Sequence, residues 1–154
     1  MTNNPFIVEA KSESATINVG KTIGTNLKGG EVIELAGDLG VGKTTFTKGL
    51  AEGAGSKELA SSPSFTLCNE YQAPRFKIFH FDFYRLNDPG IIRREVAEAI
   101  GDGGNVIVIE WPAVIGDILP GVRLAIDLSV SSENSRELTI DCPDALRYLV
   151  KGLK

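Results

Sequence analysis

A glycine-rich octapeptide in the first third of the chain determines much of what this sequence can form. Gly37 to Thr44 reads G-D-L-G-V-G-K-T and matches the phosphate-binding pattern G-x-x-x-x-G-K-S/T at every fixed position. Glycine permits backbone angles that bring main-chain N–H groups around a phosphate, and a following helix directs its positive N-terminal end to the same place. The pattern predicts that Lys43 reaches the terminal phosphates of a nucleotide and that the Thr44 hydroxyl binds Mg²⁺. The predicted phosphate-binding residues are Gly37, Asp38, Leu39, Gly40, Val41, Gly42, Lys43, Thr44 and Thr45.

The segments around the octapeptide predict alternating strands and helices. An apolar strand at 31–36 precedes it, and a helix at 43–53 follows it. Residues 105–110 (N-V-I-V-I-E) include four adjacent β-branched residues, which is typical of a strand buried on both faces in a parallel sheet. Two antiparallel hairpins are predicted, one from strands 65–71 and 76–82 and one from strands 122–130 and 137–142. The remaining predicted elements are an edge strand at 6–8 and helices at 12–27, 88–100 and 144–151.

Together these elements predict one α/β domain over residues 1–154. Its fold class is a P-loop NTPase-like sandwich, in which a mixed, mostly parallel sheet carries antiparallel hairpins and is flanked by helices. Ser12 is the predicted N-cap of the first helix, and Asp88 and Pro89 are predicted to open the helix at 88–100. Gly20 and Gly24 weaken the prediction of the first helix, because each glycine costs about 1 kcal/mol against alanine.

Two acidic residues that end predicted strands are candidates for a metal site. A phosphate loop needs a further carboxylate, usually at the end of a neighbouring buried strand, to hold Mg²⁺ or to orient water. Glu110 meets this description, and Asp82 is a second candidate. For both residues, the alternative is an ordinary charged side chain at a strand end. In the segment 62–66 (S-P-S-F-T), between the helix at 43–53 and the next strand, Ser64 or Thr66 is a candidate to offer a hydroxyl to the γ-phosphate or the metal.

The single histidine and the single tryptophan have simpler interpretations. His80 stands beside aromatic residues on a predicted strand, and a packing or surface role is the favoured interpretation. Trp111 is large and apolar enough to be a core residue. Position alone therefore assigns no chemistry to either residue.

Composition argues against direct binding to nucleic acid. Sixteen Lys and Arg against twenty Asp and Glu give a net charge of −4, whereas proteins that bind nucleic acid alone usually carry a basic stripe. Binding through a partner stays open. Cys68 and Cys142 form no metal or redox motif and are expected to be reduced thiols. Because there is no signal-peptide pattern and no apolar run of membrane-spanning length, a cytoplasmic location without membrane association is predicted.

Four segments taken together resemble the TsaE family, the bacterial ATPases of the tRNA threonylcarbamoyladenosine pathway. They are G-D-L-G-V-G-K-T-T-F from Gly37, S-P-S-F-T-L-C-N-E-Y from Ser62, H-F-D-F-Y-R-L from His80 and I-E-W-P from Ile109. They occur in the family's order and approximate spacing, and the similarity runs through about residues 10–140. The first segment is shared by many NTPases, but the combination with the other three is specific.

The resemblance implies an ATPase that is weak alone and coupled to partners. It implies ATP and Mg²⁺ as cofactors and the TsaD–TsaB complex as partner, which transfers a threonylcarbamoyl group to the adenosine at tRNA position thirty-seven. Contact with tRNA is expected only through that complex. Lys43 would act on the phosphates and Thr44 on the metal, while Asp82 and Glu110 would have metal-binding or catalytic roles. Further residues implied at the nucleotide site are Ser64, Trp111 and Arg136.

The chain also departs from the family pattern. Ala113 follows I-E-W-P where the family commonly has Glu, Val41 replaces the usual Ala of the loop, and residues 90–97 lack part of the expected acidic pattern. Two alternatives stay open: a small-molecule kinase that uses the same loop, and a nucleotide-dependent binding module that does not hydrolyse ATP. The preference for ATP over GTP comes from the resemblance only, since the sequence has no N-K-x-D motif of the kind that reads guanine.

Overall fold

Helices and strands alternate along the chain in the computed structural model. The model describes residues 5–38, 40–58, 68–83, 90–111 and 116–153, and at residues 91 and 92 it describes the backbone only. The strands are β1 (Phe6–Ala10), β2 (Val32–Ala36), β3 (Cys68–Gln72), β4 (Lys77–Asp82), β5 (Val106–Glu110), β6 (Leu124–Val130) and β7 (Arg136–Asp141). The helices are α1 (Glu13–Asn26), α2 (Lys43–Gly53), α3 (Gly90–Gly101) and a C-terminal 3₁₀ helix (Asp144–Val150).

Within these ranges, seven strands form one sheet in the order β1-β7-β6-β2-β5-β4-β3. The central pairings, β6–β2, β2–β5 and β5–β4, are parallel. The outer pairings, β1–β7, β7–β6 and β4–β3, are antiparallel. The predicted fold class is therefore confirmed, with both hairpins in place and β1 at an edge. The start of the first hairpin at 65–67 and the predicted helix start at Asp88 and Pro89 lie outside the described residues.

Strand β5, which lies between β2 and β4, is buried along its whole length, as its apolar sequence predicts. Val106 and Val108 pack into the core cluster that contains α1 and α2. Ile107 and Ile109 pack into a second cluster on the other face, which contains α3. Because successive side chains of a strand point to opposite faces, Glu110 lies on the face that α1 and α2 cover.

Helix α1 begins at the predicted N-cap, since the Ser12 side chain accepts a hydrogen bond from the N–H of Ala15 at 3.1 Å. Its glycines allow close contact with α2. A Cβ added at Gly20 would lie 2.2 Å from the Phe46 carbonyl oxygen, and one added at Gly24 would lie 2.1 Å from that of Leu50. The glycines that weaken the helix prediction thus fix the position of α2, whose first turn follows the octapeptide. The reciprocal glycines on α2 are Gly49 and Gly53.

Replacing Gly20 by alanine is expected to lower the free energy of unfolding. Overpacking usually costs about 1–3 kcal/mol, and a gain of about 1 kcal/mol in helix propensity offsets part of this cost, so the expected net loss is up to about 2 kcal/mol. Urea denaturation measures the difference. The matched control is Gly101→Ala in α3, where an added Cβ meets no described atom within 4 Å and stability should not fall. A Gly20→Ala protein as stable as the wild type would contradict the close packing of the two helices.

The C-terminal segment is anchored to the start of β2 by a buried carboxylate. Glu31, predicted as the first residue of the strand, lies just before it. Its carboxylate accepts the N–H groups of Lys28 and Gly29, both at 2.8 Å, and the hydroxyl of Tyr148 at 2.7 Å. The strand itself begins at Val32, one residue later than predicted.

The two cysteines lie on opposite faces of the sheet, and no disulfide joins them. Burial, together with the carboxylates of Glu70 and Glu95, raises the pKa of the Cys68 thiol to about 12. Burial also raises the pKa of Cys142. Both thiols are therefore protonated at neutral pH and are poor nucleophiles. Among the described helices, none is long and apolar enough to cross a membrane.

Candidate functional site

The described residues of the octapeptide lie between the end of β2 and the first turn of α2, which begins at Lys43. Gly37 and Gly42 have φ angles of +139° and +119°, in the left-handed region that favours glycine. A Cβ added at Gly37 would also lie 2.6 Å from the carbonyl oxygen of Leu128. Gly42 is the N-cap of α2 and offers no side-chain acceptor to the first turn of the helix, which suits a bound anion. Leu39, the predicted contact in the middle of the loop, lies outside the described residues.

Lys43, the first residue of α2, is buried at the centre of the site. Its ammonium group donates a hydrogen bond to the carbonyl oxygen of Gly37 at 2.6 Å. Burial lowers the pKa of Lys43, and the nearby carboxylates of Glu110, Asp82 and Asp38 oppose this shift. The loop thus holds a desolvated cation that an anion can stabilise further.

Asp82 and Glu110 lie side by side at the ends of two neighbouring parallel strands. The β4–β5 register pairs them directly, and the N–H of Phe83 donates to the carbonyl oxygen of Glu110 at 3.2 Å. Both side chains line a cavity of about 180 Å³ at the N-terminal end of α2. The structure therefore brings both predicted acids to the loop. The other residues that line this cavity are Gly40, Gly42, Lys43, Thr44, Thr45 and Trp111.

Trp111 leaves the sheet immediately after Glu110 in a strained conformation. Its φ of +60° is unusual for a large side chain and places the residue in the left-handed region. The Lys43 ammonium lies 4.0 Å from the centre of the Trp111 ring, within the range of a cation–π interaction. Trp111 is therefore a partner of the buried lysine as well as a half-buried neighbour of the second core cluster.

His80 is the residue of this site that the sequence interpretation missed. Its ring is completely buried, and its Nε2 lies 2.5 Å from Oε2 of Glu110. Its Nδ1 lies 3.0 Å from the hydroxyl of Tyr71. The favoured packing or surface role was incomplete, because the ring is buried but also hydrogen-bonded on both nitrogens. The signal was its position two residues before Asp82, which places both side chains on the same face of β4.

Arg136 supports the loop from β7. Its Nε donates to the carbonyl oxygen of Val41 at 2.8 Å, and a second nitrogen donates to carbonyl oxygens of the β6–β7 turn, including that of Ser135 at 3.0 Å. Arg136 also lines a second cavity, of about 260 Å³, that adjoins the loop. The other residues that line it are Glu13, Thr16, Gly40, Val41, Gly42, Thr45, Glu133 and Asn134.

Several predicted or discussed residues lie outside the described part of the chain. Ser64 and Thr66, the candidate hydroxyl groups for the γ-phosphate, are among them, and so is Ala113 after the I-E-W-P segment. Their roles stay predictions.

The oxygen donors of the first cavity are of the kind that Mg²⁺ prefers. Thr44, Asp82 and Glu110 offer a hydroxyl and two carboxylates, and Mg²⁺ usually takes one or two protein carboxylates together with water and substrate phosphates. Within the described ranges, no group of three or more His, Cys, Asp or Glu residues could hold a metal ion. Two carboxylates and one hydroxyl leave further positions of an octahedral ion to water or other ligands.

The order of these elements defines the class of fold. A parallel strand runs into a glycine loop, the loop opens a helix, and acidic residues end neighbouring parallel strands beside it. This is the arrangement of P-loop NTPase-like α/β proteins.

Comparison with known proteins gives the particular family. Residues 10–138 match the family model "Threonylcarbamoyl adenosine biosynthesis protein TsaE", and the chain belongs to this family. The TsaE protein of Bacillus subtilis (strain 168) is 39% identical over 117 residues, which cover 73% of this chain and 70% of that protein. The TsaE protein of Treponema pallidum (strain Nichols) is 37% identical over 131 residues, which cover 85% of this chain and 96% of that protein.

A solved structure agrees with this membership. The crystal structure of Bacillus subtilis YdiB matches with a TM-score of 0.78 and 28% sequence identity, covering 97% of this chain and 93% of that chain. The resemblance that the four sequence segments indicate is thus confirmed, and so is the fold that it implies.

Proposed function

We propose that this chain binds ATP with Mg²⁺ and hydrolyses it in support of tRNA threonylcarbamoyladenosine biosynthesis, in partnership with a TsaD–TsaB complex. One observation carries the proposal: Lys43, Thr44, Asp82 and Glu110 line the same cavity at the N-terminal end of α2. Membership of the TsaE family supports the pathway. The partners and the hydrolysis come from the family resemblance.

The two cavities beside the loop suit the two ends of a nucleotide. Gly40, Gly42 and Thr45 line both of them, so the cavities meet at the loop. The phosphates would lie in the cavity with Lys43, and the nucleoside in the cavity with Arg136. The polar groups of the second cavity can make hydrogen bonds to a ribose or a base.

The acidic side of the first cavity would position the reacting groups. Bound Mg²⁺ supplies charge neutralisation on the phosphates and holds them in a reactive arrangement. Glu110 would orient the attacking water or complete the metal shell, with Asp82 beside it. Since a phosphoryl-transfer enzyme works mainly by positioning and charge stabilisation, these few groups are sufficient for slow hydrolysis.

The charge of the chain favours contact with tRNA through a partner. Its net charge is −4, so phosphate backbones gain little from a direct approach. In this proposal the partner complex binds tRNA and carries out the group transfer. This chain then carries out the step that depends on the nucleotide.

Replacing Thr44 by valine tests the nucleotide site directly. In the wild-type protein, ATP should bind more tightly with Mg²⁺ than without it. Thr44→Val keeps the volume of the side chain but removes the hydroxyl, so we expect at least about a tenfold loss of this enhancement, in line with other losses at metal sites. Titration calorimetry with and without Mg²⁺ measures both affinities.

The matched control for this experiment is Thr22→Val. The hydroxyl of Thr22 is bonded within α1, to the carbonyl oxygen of Asn18 at 3.0 Å, and should not affect ATP binding. If the wild-type protein shows no ATP binding at all, the proposed function is wrong. If Mg²⁺ enhances binding equally in Thr44→Val, the assignment of Thr44 is wrong.

A further inference from the structure

A chain of hydrogen bonds crosses three neighbouring strands and ends on Glu110. The Asn69 amide donates to the hydroxyl of Tyr71 at 3.4 Å, both residues lying on β3. That hydroxyl lies 3.0 Å from Nδ1 of His80 on β4, and His80 Nε2 lies 2.5 Å from Oε2 of Glu110 on β5. The register supports this path, because β3 pairs with β4 and β4 pairs with β5.

The partners of His80 hold both of its ring nitrogens. An ionised Glu110 can only accept, so the Nε2 of His80 donates the hydrogen bond that faces it. The Nδ1 lies against the Tyr71 hydroxyl, whose oxygen accepts from Asn69. The ring is therefore fixed on the Glu110 side and on the Tyr71 side.

Burial makes this arrangement rigid. The His80 ring has no exposed surface, and the Tyr71 side chain belongs to the buried core beside α1 and α2. A buried imidazole that lost either partner would leave an unsatisfied polar atom, which is costly. Among the described residues, no hydrogen bond engages the other carboxylate oxygen of Glu110, Oε1, while Glu110 lines the cavity beside Lys43 and Thr44.

We infer that His80 and Tyr71 are positioning residues, which hold one oxygen of Glu110 and leave the other to act on the water or metal of the nucleotide site. This inference rests on the role of Glu110 in the proposed function. It adds two residues, His80 and Tyr71, that line neither cavity of the site. Comparable supporting residues at metal sites change activity or metal affinity by about 10–100-fold when they are replaced.

Kinetic measurements separate positioning from a merely structural role. His80→Leu removes both nitrogens, and we expect kcat for ATP hydrolysis to fall about 10–100-fold with the dissociation constant of ATP changed less than about threefold. His80→Gln restores an N–H donor towards Glu110 and should recover most of the loss. Tyr71→Phe should cause a smaller loss, since it removes only the group that orients the ring. Equal kcat in His80→Leu and wild type, or no rescue by His80→Gln, would overturn the inference.

Nitrogen NMR tests the same inference without any turnover. His80 is the only histidine of the chain, so the untagged protein labelled with ¹⁵N-histidine gives the two ring nitrogens of one residue. The expected result is that the Nε2 resonance shifts in Glu110→Gln and the Nδ1 resonance shifts in Tyr71→Phe. Ring-nitrogen resonances that stay the same in both variants would overturn the inference. Absence of ATP hydrolysis in the wild type would instead count against the proposed function, and the spectrum would still decide the hydrogen-bond chain.

Discussion

The Lys43→Met protein is expected to bind ATP at least about 100-fold more weakly than the wild type and to release no measurable phosphate. The ammonium group is the buried cation of the loop, and truncating one partner of a desolvated, charge-assisted contact costs about 2–5 kcal/mol. Methionine has nearly the same length and fills the space over the Trp111 ring. Titration calorimetry with ATP and Mg²⁺ measures the affinity.

The same substitution should not lower the melting temperature. Burial lowers the pKa of Lys43, so the folded state binds this proton less tightly than the unfolded state does. At neutral pH the lysine is charged in both states, and its burial therefore costs stability. This destabilisation begins to decrease when the pH rises through the lowered pKa of Lys43 in the folded state. It is gone once the pH exceeds the pKa of the lysine in the unfolded state. A neutral side chain removes this cost, although it gives up the bond to the Gly37 carbonyl oxygen.

Lys48→Met is the matched control for this experiment. Lys48 also lies on α2 but lines neither cavity of the site, so ATP affinity should stay at the wild-type value. ATP affinity in Lys43→Met equal to that of the wild type would show that the octapeptide is not the phosphate site. A parallel loss of affinity and melting temperature would show that the lysine acts mainly on the fold.

The Glu110→Gln protein is expected to bind ATP within about threefold of the wild type but to turn it over at least about 100-fold more slowly. The amide keeps the shape of the side chain but loses the negative charge that would hold the metal or orient water. Removing such a preorganised group typically costs a factor of about 100–1,000 in kcat. Phosphate release at saturating ATP measures the rate, and calorimetry measures the affinity.

The control for Glu110 is another carboxylate of the same sheet, which is half-buried. Glu34 on β2 accepts a hydrogen bond from Nε of Arg123 at 2.6 Å and lines neither cavity. Glu34→Gln should leave turnover unchanged, even if it lowers stability. Turnover in Glu110→Gln equal to the wild type would remove Glu110 from the reaction.

The local features of the chain could be predicted from sequence because they depend on neighbouring residues. The octapeptide requires glycine at Gly37 and Gly42 for its backbone angles, and both have the expected positive φ. The apolar run of β5 fixes a strand buried on both faces. Since parallel strands end at the same edge of a sheet, Asp82 and Glu110 could be expected near the loop, and the register pairs them.

The features that sequence reasoning missed depend on contacts between distant segments. The hydrogen bond between His80 and Glu110 needs the alignment of β4 with β5, which no pattern within either strand gives. Gly20 reads as a weak helix residue until the backbone of α2 is placed against it. Arg136 could be expected near the nucleotide from the resemblance, but its bond to the Val41 carbonyl oxygen follows only from the position of β7 beside the loop.

The central claim is an ATPase whose activity depends on partners, and phosphate release from ATP tests it most directly. The purified chain would be measured alone and after addition of TsaD–TsaB from the same source, with Mg²⁺ present. Buffer without this chain is the blank, and Lys43→Met is the inactive variant. We predict slow release by the chain alone, a clear increase with the complex, and none above the blank in Lys43→Met. If ATP binds but the rate of phosphate release is the same with and without the complex, the proposed partnership is wrong. The assignment of the nucleotide-binding site would still stand.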